Sequence, residues 1–196
     1  MTAKQAKRSL GAQPFLYPEP ALLVATYNND GKPNVMTAAW GGICCSDPVS
    51  LMVAVRPERL TYDAILQRKA FTVGIPSENM LAAADFAGIV SGRRHDKFSM
   101  AGLTAERAEK VDAPYIAECP VILECSLSHT VDVGSHALFI GEILDVKANE
   151  DCLTEGYPDI TKVAPLIYDA GARSYFGVGR RLGQAFSVGN SLIKDS

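Results

Sequence analysis

The chain has 196 residues, of which 47% are hydrophobic and 21% are charged, and its formal net charge is −3 at pH 7. A chain of this length forms one domain that buries about 70% of its unfolded surface, so it needs neither disulfides nor a metal to fold. The composition excludes an intrinsically disordered protein. No apolar run reaches the roughly 18 residues of a membrane span, and the negative charge disfavours nucleic-acid partners. The basic N-terminus lacks a following secretory core, so we expect a cytoplasmic protein.

The five cysteines and three histidines show no spacing typical of a metal site, so none is predicted. We expect all five thiols to be reduced. Two of them are adjacent and are predicted to pack as small residues at a strand end, although a reactive role stays open. The cysteines are Cys44, Cys45, Cys119, Cys125 and Cys152.

The first half of the chain predicts three strands and two helices. Residues 21–27 and 33–40 are β-prone and flank an Asp-Gly turn, which predicts a hairpin. Residues 51–55 form an apolar run typical of a buried strand. Apolar spacing predicts a short helix over 61–68 and a second helix after a Ser77 N-cap.

Period-2 patterns predict a fourth strand in the first half of the chain and two long strands in the second half. Residues 70–75 alternate in hydrophobicity, as do 121–133, and a Gly-Ser turn leads from the latter into a further run over 136–146. Residues 86–120 are irregular, with one helical turn near 96–101, and the tail predicts a short strand near 174–178. The six longer strands predict a mainly β fold, namely a closed or nearly closed antiparallel barrel rather than a parallel sheet.

Three familiar nucleotide-binding or catalytic motifs are excluded. The run from Gly177 to Gly183 resembles a dinucleotide fingerprint, but its third glycine is one position late and too few residues follow for a βαβ unit. The chain contains neither a G-x-S-x-G nucleophile elbow nor a Walker A loop.

Three segments carry polar residues suited to a ligand. Arg56, Arg59 and Thr61 lie between a strand and a helix start, where free N–H groups and forked donors suit a phosphate; a salt-bridged surface turn is the alternative. Residues 91–98 are a second basic cluster, with a solvated loop as the alternative. His136 begins a strand, where a hydrogen-bonded structural role competes with a catalytic one.

Seven segments between about residues 14 and 178 together resemble, in their order, the flavin reductase-like family with its FMN-binding split barrel, and within it the flavoredoxin branch. In chain order these are residues 33–40 (PNVMTAAW), 46–48 (SDP), 55–62 (VRPERLTY), 71–76 (FTVGIP), 91–98 (SG and DKF), 117–120 (AECP) and 136–142 (HALFIGE).

The resemblance implies a six-stranded antiparallel split barrel that binds FMN and works as a homodimer. The residues implied to bind the cofactor are Asn34, Thr37, Ala38, Trp40, Ser46, Arg56, Arg59, Thr61, Ser91, Lys97 and Phe98, and His136 is the implied catalytic residue. The expected division is an N-terminal arm (1–13), the split-barrel domain (14–178) and a C-terminal tail (179–196).

The function implied is an oxidoreductase that passes electrons from NAD(P)H or a protein donor, through FMN, to free flavin or a redox partner. An electron carrier without turnover is one alternative, and a non-enzymatic flavin- or haem-binding module is another. Residues 41–45 depart from the bulkier or hydroxyl residues common in relatives, so a redox role for Cys44 or Cys45 remains open. The basic residues suit a phosphate monoester of about −1.5 to −2 charge.

Overall fold

The computed structural model describes residues 6–193, and the expectations for 1–5 and 194–196 lie outside that range. The fold is mainly β. Its strands are β1 Glu19–Pro20, β2 Leu22–Tyr27, β3 Pro33–Ala38, β4 Gly41–Ser46, β5 Val49–Val55, β6 Ala70–Ile75, β7 Ala105–Arg107, β8 Pro114–Ile116, β9 Val121–Asp132, β10 Ala137–Ala148, β11 Leu153–Thr154, β12 Tyr157–Pro158, β13 Ile167–Asp169 and β14 Ser174–Phe176. The α-helices are α1 Leu60–Arg68, α2 Leu81–Ile89, α3 Lys97–Ala101 and α4 Ile160–Val163, and short 3₁₀ helices span Glu78–Met80, Glu150–Cys152 and Val188–Leu192.

Seven strands form one antiparallel sheet in the order β3-β2-β6-β9-β10-β5-β4. Strands β3 and β4 are therefore the two edges of the sheet, yet only Ala39 and Trp40 separate them along the chain. Consecutive Cα atoms are about 3.8 Å apart, so two intervening residues cannot span a flat sheet of seven strands. The sheet must curl until its edges meet, which makes it a barrel.

The crossing from one edge to the other occurs at Ala39. Ala38 still pairs with Leu22 of β2, whereas the carbonyl of Trp40 already accepts a 2.9 Å hydrogen bond from the Ala54 amide of β5. We call this junction between β2 and β5 the seam of the barrel.

The six predicted long strands are all present as β2, β3, β5, β6, β9 and β10. The predicted count of six omitted β4, which pairs with β5 through a tight turn at Asp47–Pro48. The expectation that Cys44 and Cys45 pack at a strand end was wrong: both lie on the outer edge strand β4 and are exposed. Cys119, Cys125 and Cys152 are buried.

Two apolar clusters fill the two sides of the sheet. The barrel interior is closed by Phe71 and Phe139, which are fully buried and pack with Ile65 of α1. The packing there is tight, since a Cβ on Gly141 would lie 2.7 Å from the Phe71 ring. The second cluster packs Ala84 and Ala87 of α2 and Phe98 of α3 against the outer face of β2, around Leu23 and Ala25. Burying one such side chain contributes roughly 1.5–3 kcal/mol, so these clusters hold α1 and α2 in place beside β3.

The predicted helices are present with small shifts. Helix α1 covers the predicted 61–68, and α3 provides the helical turn predicted near 96–101. Ser77 is the N-cap of the 3₁₀ turn that leads into α2, but its side chain makes no capping hydrogen bond. Within residues 6–193, no helix is both long and apolar enough to cross a membrane.

Candidate functional site

A groove follows β3 from the seam towards the start of α1. Its middle part, the central cavity, has a volume of about 260 Å³ and is walled by β3, the seam, Arg56, Arg59 and His136, with Tyr168 and Ala170 closing one side. Strand β3 and the seam supply residues 36–40, the loop between β5 and α1 supplies Arg56 and Arg59, and His136 lies just before β10.

The α1 cavity continues the groove beyond Met36 and Arg59, which line both cavities. Its volume is about 170 Å³, and residues from β3, the first turn of α1 and the loop at Ser91–Gly92 surround it. Helix α1 begins at Leu60 with Arg59 as its N-cap residue. Backbone N–H groups of a first helical turn have no intrahelical partner, so this end of the groove favours an anion.

Two buried polar residues fix the wall of the α1 cavity. Asn34 of β3 and Thr61 of α1 are 5% and 1% exposed, and the Asn34 Nδ2 donates a 2.9 Å hydrogen bond to the Thr61 Oγ1. The bond ties the helix start to the strand, and Gly92 comes so close that a Cβ there would lie 2.0 Å from the Asn34 Oδ1. The cavity therefore has a preformed rather than a collapsible wall.

Two arginines bring positive charge to the groove. Arg56 makes a loose ion pair with Glu58 at 3.7 Å, in which both side chains are at least half exposed. Exposed pairs of this kind contribute little, so Arg56 stays available to an anion. Arg59 forms no ion pair with any residue of 6–193.

Lys97 is a buried cation on the wall of the α1 cavity. Its side chain is 5% exposed, and its Nζ donates a 2.7 Å hydrogen bond to the carbonyl of Ala87 in α2. Burial, with a smaller contribution from nearby Arg59, lowers the pKa of Lys97 to about 8. A cation that burial makes costly to charge gains most from a bound anion.

At the opposite end of the central cavity, Trp40 and His136 form an aromatic pair. Their ring centroids are 4.9 Å apart with an interplanar angle of 48°, and the Ser135 hydroxyl lies 2.9 Å from the His136 Nδ1. Partial burial, followed by the charge of Arg56, lowers the pKa of His136. A neutral imidazole beside an indole offers a flat apolar surface with one polar edge.

A third cavity, the α2 cavity, opens from the central one past Thr37, Ala39 and Tyr168 and has a volume of about 350 Å³. The Thr37 hydroxyl donates a hydrogen bond to the Ala84 carbonyl of α2. Tyr175 closes the far side, where burial, with the nearby Asp85 carboxylate, raises its pKa to about 12. This cavity is more apolar than the central and α1 cavities and can accept a planar organic ligand.

The structure gathers ten of the twelve predicted site residues around the central and α1 cavities: Asn34, Thr37, Ala38, Trp40, Arg56, Arg59, Thr61, Ser91, Lys97 and His136. Ser46 and Phe98 do not join them. Phe98 is 4% exposed and packs in the cluster beneath α2, because its neighbour Lys97 takes the cavity-facing side of the short helix α3. Ser46 lies at the far end of β4, five residues or roughly 17 Å along the strand from Gly41.

Several groove residues were not predicted. Tyr168 and Ala170 close the central cavity from β13 and the turn after it. A three-residue strand has no measurable periodicity, and its pairing with β1 is contributed by residues about 150 positions away in the sequence. The one signal in the sequence was the presence of two nearby aromatic residues, Tyr168 and Tyr175. In the structure their ring centroids lie 5.4 Å apart.

Similar proteins are known for almost the whole chain. The family model described as "Flavin reductase like domain" matches residues 15–177. The flavoredoxin of Desulfovibrio vulgaris (Miyazaki F) is 49% identical, with a TM-score of 0.90 over 94% of this chain and 100% of that one. The flavoredoxin of Methanosarcina acetivorans is 31% identical, with a TM-score of 0.88 over 97% and 100%. An FMN-binding protein of Thermus thermophilus shares the fold at 22% identity, with a TM-score of 0.77 over 92% and 99%.

The barrel and its groove define a mainly β protein of the split-barrel, flavin reductase-like class. The chain belongs to the flavin reductase-like family.

Proposed function

We propose that the chain binds FMN in the groove along β3 and acts as a flavin-dependent oxidoreductase of the flavin reductase or flavoredoxin type. The donor in this proposal is NAD(P)H or a redox protein, and the acceptor is free flavin or a redox partner. Membership of the flavin reductase-like family and the flavoredoxin neighbours support a flavin-related redox role.

One observation carries the proposal. The groove has positive charge and the start of helix α1 at one end, and an aromatic pair at the other. FMN has the same polarity, with a phosphate at one end of the ribityl chain and a flat ring at the other. The α1 cavity offers the α1 N–H groups, Arg59 and Lys97 for the phosphate. The central cavity offers Trp40 and His136 for the ring. Forked guanidinium donors and helix starts are common phosphate partners.

The bound flavin would supply the electron chemistry, since its ring accepts a hydride or single electrons and releases them again. The chain's own residues would bind and orient the flavin and set the charge around its ring. Arg59 and Lys97 anchor one end, the Asn34–Thr61 bond holds the wall, and the neutral His136 ring presents a nitrogen at the groove without adding charge.

We propose a homodimer as the working state. The barrel leaves apolar side chains uncovered on edge strand β4 and its neighbour β5, where Ile43 is 65% and Val49 50% exposed. A second copy of the chain that covers this edge would remove them from water and protect the strand edge. Sedimentation velocity tests the state, and a monomer at micromolar concentration would contradict it.

Fluorescence quenching tests FMN binding directly. We expect saturable quenching of FMN, and for Arg59→Ala a loss of affinity of about tenfold with little change for riboflavin, which lacks the phosphate. Arg107→Ala, which removes an exposed cation from β7 outside the groove, is the matched control. Equal losses for both ligands would assign Arg59 a structural role, and the absence of FMN binding would overturn the proposal.

Stopped-flow absorbance separates the two modes of action. Rapid bleaching of bound flavin by NADH or NADPH with multiple turnovers indicates a flavin reductase. Tightly held flavin that bleaches slowly with either nucleotide, but quickly with a reduced protein donor, indicates an electron carrier.

A further inference from the structure

A fourth cavity, called here the β1 cavity, lies beside strand β1. Its volume is about 340 Å³, and small-molecule sites span roughly 300–1,000 Å³. The lining comes from residues 13–16 and 18–20, from residues 39–41 at the seam and from Met52 of β5. The β1 cavity shares only Ala39 and Trp40 with the central cavity, so the rest of its lining has no part in the function proposed above.

The side of the cavity that β1 provides is anchored to β13 and the turn after it. Glu19 of β1 pairs with Tyr168 of β13, and the Tyr17 hydroxyl donates a 2.7 Å hydrogen bond to the Asp169 Oδ1. The same oxygen accepts from the Gly171 amide at 2.8 Å. Because these contacts already order the segment, a ligand does not have to order it on binding, which lowers the entropic cost.

The lining of the β1 cavity is mainly apolar and partly aromatic. Phe15, Leu16 and Met52 contribute apolar side chains, and Phe15 and Leu16 are exposed to solvent. Phe15 and Trp40 contribute aromatic rings, whose faces attract organic cations. All lining residues belong to the described range 6–193, and none of them is a lysine, arginine or histidine.

Glu19 is the one charged residue in this lining. It is 4% exposed, its Oε2 is buried without a hydrogen-bond partner, and it pairs with no cation among residues 6–193. Burial raises the pKa of Glu19, an effect that hydrogen bonding from Trp40 opposes. A carboxylate that is buried without a counter-charge costs free energy. A cation that entered the cavity would supply the missing charge.

We propose that the β1 cavity is a binding site for a small organic cation, that is, an ammonium group attached to an apolar or aromatic body. The ammonium group binds the Glu19 carboxylate, and the body packs against Phe15, Trp40 and Met52. An anion would be repelled by Glu19, and a neutral ligand would leave its charge uncompensated. The proposal does not require a flavin in the groove, so it stands apart from the function proposed above.

Isothermal titration calorimetry of the full chain with benzylammonium tests the site. Benzyl alcohol, which has the same ring and a neutral hydroxyl, is the comparison ligand, and we expect it to bind at least about tenfold more weakly. Glu19→Gln keeps the shape of the side chain and removes its charge. It should lower benzylammonium affinity about tenfold and change benzyl alcohol affinity less than about twofold. Glu150→Gln, which removes an exposed carboxylate elsewhere, is the matched control.

Phe15→Ala tests the location of binding through an exposed side chain outside the apolar clusters. It should weaken benzylammonium binding by about threefold or more. Unchanged affinity in this variant would overturn the assignment to the β1 cavity. The proposal is also overturned if benzylammonium does not bind at millimolar concentration, if the two ligands bind equally, or if Glu19→Gln and Glu150→Gln cause equal losses. FMN binding is measured separately, so none of these outcomes decides the proposed function.

Discussion

The Asn34 side-chain amide donates a 2.9 Å hydrogen bond to the Thr61 hydroxyl, and this bond joins the middle of β3 to the first turn of α1. On its other side, the same amide faces Gly92 of the loop before α3. Three elements that are distant in sequence thus meet at one buried amide. The shape of the α1 cavity depends on this single group, which makes it the most sensitive point of the candidate site.

Substitution of Gly92 tests this dependence. In Gly92→Ala the new Cβ would lie 2.0 Å from the Asn34 Oδ1, so the amide must move and the bond to Thr61 must break. Overpacking of this kind costs roughly 1–3 kcal/mol of folding free energy. We expect a lower melting temperature and a loss of FMN affinity of at least about fivefold by fluorescence titration. Gly42→Ala on β4, where a Cβ meets nothing within 4 Å, is the control; similar effects in the two variants would contradict the prediction.

The pKa of Lys97 predicts how ligand binding depends on pH. Burial lowers this pKa to about 8, so the ammonium of the empty protein discharges as pH rises through that value. A bound phosphate favours the charged form, and binding should therefore take up a proton near pH 8. Calorimetry in buffers of different ionisation enthalpy measures the uptake. Lys97→Met should abolish it, and uptake that persists in this variant would exclude Lys97 as its source.

The same shift predicts a pH dependence of stability in the ligand-free protein. The pKa of Lys97 is below its ordinary value of 10.5, so between pH 8 and 10.5 the unfolded chain holds more protons than the folded one. Stability therefore rises with pH across this window, by about 3 kcal/mol if the whole shift is expressed. Urea unfolding of the unchanged chain and of Lys97→Met, each at both ends of the window, measures the difference. If the free energy of unfolding changed by the same amount across the window in both proteins, the prediction would be contradicted.

The aromatic pair supplies a spectroscopic prediction, since Trp40 is the only tryptophan in the sequence. Its ring lies 4.9 Å from His136, whose pKa is lowered below the ordinary 6.5. Protonation of the imidazole should quench the indole, so a fluorescence titration should show a step with a midpoint below pH 6.5. Because the folded protein resists this proton, its stability falls as pH decreases through the same range. His136→Gln should remove the step, and a step that survives would assign it to another group.

Substitution of Glu124, which lies outside the groove, is expected to cause a large loss of folding stability. This carboxylate is fully buried in β9, accepts hydrogen bonds from the amides of Glu109 and Lys110, and lies 3.5 Å from the Lys147 Nζ. Glu124→Ala leaves these donors unpaired and should cost about 3–5 kcal/mol by urea unfolding. Glu109→Ala removes an exposed partner of the same lysine and should cost less than about 1 kcal/mol. Equal costs would contradict the distinction between buried and exposed partners.

The strands that could be predicted from sequence were those whose own residues carry a pattern. Period-2 alternation over residues 121–133 and an Asp-Gly turn after residue 27 are local signals, and β9 and the β2–β3 hairpin follow them. Strand β4 has no such signal, because its Gly-Gly-Ile-Cys-Cys-Ser sequence neither alternates nor favours strands by propensity. It exists because the closing barrel presents β5 as a partner, which is a tertiary effect.

The candidate site shows the same division. Arg56, Arg59 and Thr61 could be predicted because a strand end and a helix start are recognisable along the chain. The position of Phe98 in the core, outside the groove, could not be predicted, since it depends on which side of a one-turn helix faces the core. Tyr168 was missed because its place in the groove is set by pairing with β1, far away in sequence.

The seam at Ala39 has a mechanical consequence. The barrel's two edges meet at Ala39 and Trp40, and both residues line the central cavity. A ligand bound there would contact both edges of the sheet. The free energy of unfolding should therefore rise with the fraction of protein that has ligand bound. The melting temperature should therefore increase with the logarithm of ligand concentration once that concentration exceeds the dissociation constant.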